Sequence, residues 1–504
     1  MNGTLIDLSR WWTAIRPNVP ALVTADDQLT YKELDIWAEA LGAMLIEKGV
    51  QPGDRVTVMA ANCLEYLVLT QGILRAGAIY APVNPRFTFS EASYMTEQFE
   101  PGIIFHDVAR KQLAEELAAA IPGIELIELS SASDYRRKVV PRIAREINSD
   151  MPIVIIPTSG STARPKGVVY SHRSMVGYCA EFAFAEPDAA AEVRVILFAP
   201  MCTSAGFVVL TQFLAYGGTL YMDNVFDPDR ALQWVVEKKM TMFMGAPVFF
   251  ERIASCKGFA DADMSSIRFT SVGGARVTQK LLDAYLTKGI LLRQIYGQTE
   301  AGGNATVNTI EASRTNPEKC GRGMPFSQLA VIDVDGKRCP TGIPGEIICR
   351  GPGQMMGYWR NPEATAKTIV DGWLHTGDLG VMDEDGLLTM LDRIKDIIIS
   401  GGLNISAAEV ERVVSEFPGV IEVAAIAAHD DKFGETPLVA LHATTKIDVA
   451  ALIAHCDKYL SNYKVPRYVV IEPEPLHRVA TGKISKPVLR EKYKDAHLRL
   501  RKVR

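Results

Sequence analysis

Residues 153–170 read IVIIPTSGSTARPKGVVY. Ile153 to Ile156 form a short apolar run rich in β-branched side chains, the pattern of a buried strand. Val168, Val169 and Tyr170 resume an extended pattern. Between them lies PTSGSTARPKG at 157–167. Gly160 and Gly167 open backbone conformations closed to other residues. Thr158, Ser159, Ser161 and Thr162 supply hydroxyls, Lys166 a fixed positive charge and Arg164 a second. Backbone N–H groups, hydroxyls and an ammonium make a cradle for a polyphosphate. This is not a Walker A loop, which needs four residues between its first Gly and Gly-Lys, then Ser or Thr. Here Pro165 precedes Lys166 and Gly167 follows it. Gly/Ser/Thr/Pro clusters also occur as plain polar surface loops, so the loop alone leaves both readings open.

Outward from this loop the chain alternates strand and helix signals. Tyr31-Lys32-Glu33-Leu34 opens a helix that runs to Lys48 and stops at Gly49; Pro52-Gly53-Asp54 makes a turn. Arg55–Met59 predicts a strand, 64–76 a helix, 195–198 a strand, 206–215 a helix and 219–221 a strand. Such alternation predicts an α/β fold of parallel-type sheets covered by helices. From about 317 to 391 Gly and Pro become dense, which predicts a small, mostly β subdomain within a large N-terminal domain spanning 1–391. A hinge at 392–396 then leads to a mobile C-terminal α+β domain at 397–504, with a helix near 407–417, strands near 421–427 and 437–443 and a helix near 448–460.

The segment TSGSTARPKG resembles the signature loop of the adenylate-forming superfamily: acyl-CoA synthetases, the adenylation domains of peptide synthetases, and luciferase. Further stretches stand in that family's order: GGARV at 273–277, YGQTE at 296–300, GEI at 345–347, GWLHTGDLG at 372–380, DRIKDIIISGGLNISAAEVE at 392–411 and ATGKI at 480–484. The first 150 residues fit the family's layout without a sharp motif. The resemblance implies an ATP-dependent acid–CoA ligase with ATP, Mg2+ and coenzyme A, passing through an acyl-adenylate and pyrophosphate. It also implies roles for particular residues. Lys166, Thr162, Glu300 and Lys483 would carry the catalysis, with Thr162 and Glu300 near the metal. Thr158, Ser159, Gly160, Ser161, Gly297, Gln298 and Thr299 would line the nucleotide site. Gly273, Gly274 and Ala275 would form a shelf against adenine, and Tyr296 would stack on it. Asp378 would accept the ribose hydroxyls, with Arg393 beside it. Taken alone, Glu300 reads as an exposed helix residue, Asp378 as a turn residue, Tyr296 as core and Lys483 as a solvated surface lysine.

By the same resemblance, Lys395 is the hinge about which the small domain turns between the two half-reactions. Ser400, Gly401 and Gly402 would then leave a channel for a pantetheine arm. Phe433, Tyr463 and Lys464 would contact coenzyme A. Cys202, Thr203, Gly206, Val209, Met244 and Gly302 are the expected acyl pocket, a wall of small and apolar side chains suited to an uncharged acyl or aryl body. Arg276 is the nearest candidate for an anionic second group. The chain departs from the family where Cys202-Thr203 replaces a common Phe-His pair, and where Ala163 replaces a usual Gly, which stiffens the loop slightly. An enzyme loading a carrier-protein thiol in trans is the alternative to coenzyme A ligation, and a catalytically dead binding protein is a third reading.

The 504 residues carry a net charge of −5, with 48% apolar and 22% charged residues, which suits a globular protein and argues against nucleic acid as a partner. Eight cysteines at scattered positions form no CxxC pair or zinc pattern; they predict a reducing, cytoplasmic setting. MNGTLIDLSRWW lacks signal-peptide features, and no apolar run is long enough for a membrane span. A homodimer is left open. The basic run at 499–504 is expected to be a frayed, solvated tail.

Overall fold

The computed structural model describes residues 3–158, 165–275, 277–478 and 484–504. The chain divides into two compact units: Met1–Leu329 with Ile348–His375, and Ala330–Ile347 with Thr376–Arg504. The expected hinge at 392–396 falls by number within the second unit.

Among the described residues the first unit contains two large sheets and two small two-stranded ones. In one large sheet, the strand Arg55–Met59 pairs in parallel with Ile79–Tyr80 on one side and Ile103–His106 on the other. Glu125–Glu128 extends it beyond Ile103–His106, and Pro152–Thr158 joins beyond Ile79–Tyr80, both in parallel. The direction then changes. Pro152–Thr158 pairs antiparallel with Lys166–Ser171, and Gly357–Tyr358 pairs antiparallel with that strand in turn. Pro152–Thr158 and Lys166–Ser171 are therefore an antiparallel pair toward one edge of the sheet, whose other described strands from Ile79–Tyr80 to Glu125–Glu128 run in parallel. The connection is short for physical reasons: a parallel partner would need a crossover of a dozen or more residues, whereas Thr158 is in register with Lys166.

The second sheet of this unit joins Arg194–Ile196, Thr219–Tyr221, Met242–Gly245 and Phe269–Val272 in parallel. Pro20–Val23 adds in parallel beside Thr219–Tyr221, and Gln28–Thr30 adds antiparallel. Its apolar side buries Phe243, Phe250 and Tyr285 in one cluster. The helix Tyr31–Glu47 starts at Thr30, whose hydroxyl accepts from Glu33 N while Glu33 accepts from Thr30 N at 2.8 Å, a capping box. It packs against Leu64–Arg75. Arg75 is fully buried at the end of that helix, held by Asp35 and Glu39, both at 2.7 Å. Removing one partner of such a buried network costs about 3–5 kcal/mol.

The second unit shows the period-2 logic of a strand covered on both faces. Gly434–Ala443 pairs antiparallel with Val420–Asp430 and in parallel with Tyr468–Glu472. Val439 and Leu441 point into a core with the helices Ala407–Ser415 and Val449–Tyr459, which contribute Val410, Val413, Val414 and Leu452. Leu438 and Ala440 point the other way, into a core with Tyr468, Leu476 and Leu489. Burying a Val or Leu is worth about 1.5–3 kcal/mol, so both faces resist a register slip. The basic run differs from the expected frayed tail. Val503 N donates to Arg467 O at 2.9 Å, Lys502 Nζ donates to Asp430 at 2.9 Å, and Arg504 pairs with Asp457. Acidic partners far away in sequence tie it down. No helix of the described residues is long and apolar enough to cross a membrane.

Candidate active site

Lys166 opens the second strand of that antiparallel pair, where Thr158 Oγ1 donates to its carbonyl at 3.4 Å. Its ammonium sits 4.6 Å above the ring of Tyr358. The Tyr358 hydroxyl donates to Glu300 Oε1 at 2.8 Å. Burial, and then the charge of Glu300, pushes the Tyr358 phenol far above its ordinary range, so it stays a proton donor. Trp359 N donates to Gly167 O at 2.7 Å, tying the same strand end to the segment that follows Tyr358. Ser159, Gly160, Ser161, Thr162, Arg276 and Lys483 lie outside the described residues.

The stretch 296–300 is held by its neighbours in the fold. Tyr296 is buried, and its N–H donates to Thr306 Oγ1 at 2.8 Å. Gly297 and Gln298 pair antiparallel with Asn304 and Gly303. Gln298 Nε2 is buried without a partner among the described residues. Thr299 Oγ1 donates to Ser204 Oγ at 3.0 Å, and its carbonyl accepts from the Tyr170 hydroxyl at 2.5 Å. Glu300 O accepts from Met355 N at 3.0 Å. Gly302 turns the chain with φ +81°, and a Cβ there would lie 1.8 Å from Gly353 O. Only glycine tolerates both conditions. Gly273, Gly274 and Ala275 follow the strand Phe269–Val272; Gly273 N donates to Gly245 O at 3.3 Å, and Gly274 and Ala275 are exposed.

The expected acyl-pocket residues fall into three surroundings. Cys202 is buried beside the Tyr66–Tyr80 hydroxyl pair, and burial pushes its thiol up to about 12, which leaves it neutral. Thr203 caps the helix Ser204–Tyr216: its Oγ1 accepts from Gly206 N at 3.3 Å and donates to Pro200 O at 2.7 Å. Gly206 presses against backbone, since a Cβ there would meet Pro200 O at 2.2 Å. Val209, on the same helix, and Met244, on the strand Met242–Gly245, are both buried. Phe207 stacks on Tyr80 at 6.0 Å and Tyr170 at 6.3 Å. The bond from Thr299 to Ser204 joins this helix to the 296–300 stretch.

In the second unit, Asp378 stands opposite Arg393 in the pairing of Trp373–Met382 with Leu388–Arg393. Arg393 Nε lies 3.5 Å from Asp378 Oδ1, and Asp378 N donates to Thr376 Oγ1 at 3.1 Å. The adjacent Asp392 takes a different task, accepting from Ser406 Oγ at 2.8 Å and Ala408 N at 2.9 Å at the start of the helix Ala407–Ser415. Lys395 is exposed to solvent in the short turn Ile394–Asp396, yet desolvation by its surroundings, then Arg393, pushes its ammonium below the usual lysine range. Arg490 holds the same turn through Asp396 at 2.5 Å.

Ser400, Gly401 and Gly402 form the turn between Ile398–Ser400 and Leu403–Ile405. Gly401 N donates to Phe433 O at 2.8 Å. Phe433 carries the Arg467 guanidinium at 4.2 Å and the Lys432 ammonium at 5.1 Å. Behind it, Asp430 is fully buried and accepts from Lys432 N and Phe433 N, each at 3.0 Å. Tyr463 is exposed, and Lys464 is paired with Glu409 at 2.7 Å. Sequence reading missed Tyr358, Trp359, Asp392 and Asp430. Of these, only Asp392 lies inside a quoted motif.

Among the described residues no cluster of three or more His, Cys, Asp or Glu could hold a metal on its own. A hard cation held by one carboxylate and by substrate phosphates suits Mg2+, and Glu300 beside the Lys166 strand fits that donor set.

Residues 9–359 match the AMP-binding enzyme family, and residues 409–483 match the AMP-binding enzyme C-terminal domain. A feruloyl-CoA synthase from Amycolatopsis sp is 33% identical, covering 95% of this chain and 96% of that protein. The long-chain-fatty-acid–CoA ligase FadD13 of Mycobacterium tuberculosis is 30% identical over 95% of this chain and 96% of its own length. The crystal structure of ATP-bound MatB from Rhodopseudomonas palustris superposes with a TM-score of 0.89 at 30% identity, covering 99% of this chain and 100% of that one.

Proposed function

Because this chain belongs to the AMP-binding enzyme family, we propose that it joins a carboxylic acid to coenzyme A using ATP, in two steps at one site. First, a carboxylate oxygen attacks the α-phosphorus, the bond to the β-phosphate bridging oxygen breaks, and pyrophosphate leaves. Then the thiol sulfur attacks the acyl carbon, AMP leaves with the acid's oxygen, and the thiol proton is released. The observation that carries this reading is the Lys166–Tyr358–Glu300 group, a cation and a carboxylate gathered at the start of the strand Lys166–Ser171.

Lys166 balances phosphate charge as pyrophosphate departs, and positioning with electrostatics supplies most of the acceleration. Mg2+, held by Glu300 with Thr162 and by the phosphates, would neutralise charge on the leaving group. Asp378 accepts the ribose hydroxyls, and Arg393 beside it aims that carboxylate. Gly273, Gly274 and Ala275 back the adenine, with Tyr296 against it. Lys483 bridges the carboxylate and the α-phosphate in the first step, and Lys395 is the pivot that removes it for the second. Ser400, Gly401, Gly402 and Phe433 then border the path of the pantetheine arm, with Tyr463 and Lys464 toward the nucleotide of coenzyme A. A reducing, cytoplasmic setting goes with these co-substrates.

The acid's body would lie against Cys202, Thr203, Gly206, Val209, Met244 and Gly302. The neutral Cys202 thiol and the apolar Val209 and Met244 favour an uncharged fatty or aryl group, in line with the feruloyl and long-chain fatty substrates named for the two relatives. The test is AMP release with coenzyme A across a panel of aryl, medium-chain and long-chain acids. At least one acid should release AMP only when coenzyme A is present. AMP release with no acid of the panel, or release with a carrier-protein thiol but not coenzyme A, would contradict the proposal.

A further inference from the structure

Tyr358 lies outside every stretch that pointed to an ATP site, yet it touches two residues that did. Its ring underlies the Lys166 ammonium and its hydroxyl reaches Glu300 Oε1. The fold leaves it little freedom. Its strand Gly357–Tyr358 pairs with Val168 and Val169, and its N–H donates to Thr365 Oγ1 at 2.9 Å. Trp359, next along, grips Gly167 O through its N–H and Gln98 O through its indole at 3.0 Å. Asn361 caps the helix Pro362–Thr368 by accepting from Ala364 N at 2.9 Å.

A lysine and a glutamate sharing one site attract each other into a direct ion pair, each favouring the other's charged form. Here Tyr358 contacts both, the ammonium over its ring face and the carboxylate at its hydroxyl. The face of the ring attracts the ammonium, and the hydroxyl on its edge satisfies one carboxylate oxygen. We propose that Tyr358 is a positioning residue for adenylation, seating Lys166 for the phosphates and fixing Glu300 for the cation while keeping the two from pairing directly. This rests on the function proposed above.

Two variants separate the two tasks. Tyr358→Phe keeps the ring and removes the hydroxyl. In ATP–pyrophosphate exchange its KM for ATP should stay near the wild-type value. Its turnover should fall by about tenfold, the size of one hydrogen bond to a charged group, and half-saturation by Mg2+ should move to severalfold higher concentration. Tyr358→Leu removes the ring as well and should add a rise in KM for ATP of roughly threefold to tenfold. Calorimetry of ATP binding without acid, with and without Mg2+, gives a readout independent of turnover. There Phe should weaken only the Mg2+-dependent part, and Leu both parts. Thioester formation from supplied acyl-adenylate should be unchanged in both variants. Wild-type exchange and Mg2+ dependence in Tyr358→Phe, identical defects in the two variants, or equal loss of thioester formation would overturn the proposal. A wild-type enzyme silent in exchange with every acid would instead refute the adenylation reading, and calorimetry would still decide the placement of Tyr358.

Discussion

Lys166 and Lys395 are both lysines near acidic side chains, but the fold supports them differently. Lys166 starts a strand, and its partners Tyr358 and Glu300 arrive from distant parts of the first unit. Lys395 sits in a short turn, surrounded by Arg393, Asp396, Arg490 and Asp378. One cation is seated on an aromatic ring by a sheet edge. The other is crowded by like charges on a turn, where desolvation and Arg393 lower its affinity for a proton. A group needed at a constant place suits the first arrangement. A pivot, whose backbone must change conformation, suits the second.

The largest effect that can break this contrast concerns Lys483, the residue proposed to bridge the acid's carboxylate and the α-phosphate. Lys483→Ala should lower ATP–pyrophosphate exchange by two orders of magnitude or more, yet leave thioester formation from supplied acyl-adenylate intact. Equal loss of both steps would remove the need for a pivot.

The next effect concerns the rigidity of the antiparallel pair in the first unit. His172 follows the strand Lys166–Ser171 directly and is buried, with Nδ1 accepting from Leu5 N at 3.2 Å. Burial pushes its imidazolium down to about 4. The unfolded chain, with an ordinary histidine, takes up the proton first. The stability from a neutral His172 is therefore full above about pH 6.5 and drains as pH falls toward 4, by roughly 3 kcal/mol in all. Thermal denaturation against pH should show that loss, and His172→Gln should flatten it. An unchanged pH slope in the variant would mean that other groups govern the acid limb.

A smaller effect belongs to the ribose-side pair. Asp378→Asn should raise the KM for ATP by about tenfold to a hundredfold, the range for a charged hydrogen-bond acceptor, with little change in thermal midpoint. A normal KM would free Asp378 from nucleotide binding. The smallest effect concerns the turn that carries Phe433. Lys502→Ala leaves the buried Asp430 with one fewer cation and should slow thioester formation severalfold while sparing pyrophosphate exchange. Impairment of exchange alone would contradict the assignment of this turn to the second step.

Much of this was legible in local sequence. Glu33 three residues after Thr30, the β-branched run at 153–156 and the apolar run at 437–441 each encode their own element. The motif residues Asp378 and Arg393 meet because a hairpin brings the ends of two adjacent stretches together. The reversal of strand direction at 158–166 could also have been read from the short connection. What could not be read were pairings set only by tertiary packing. Tyr358 meets Lys166 and Glu300, Arg75 meets Asp35 and Glu39, and Lys502 meets Asp430, each across a long sequence separation that leaves no periodic trace. The neutrality of Cys202 likewise depends on burial rather than on its neighbours in sequence.

In the proposed first step the acid's own oxygen becomes bonded to the α-phosphorus before the thiol arrives. An acid of the active class, labelled with ¹⁸O in both carboxylate oxygens, should be turned over with ATP and coenzyme A and the products weighed by mass spectrometry. The expected products are AMP carrying one ¹⁸O and unlabelled pyrophosphate. Unlabelled AMP, or label in inorganic phosphate with ADP as the nucleotide product, would contradict it.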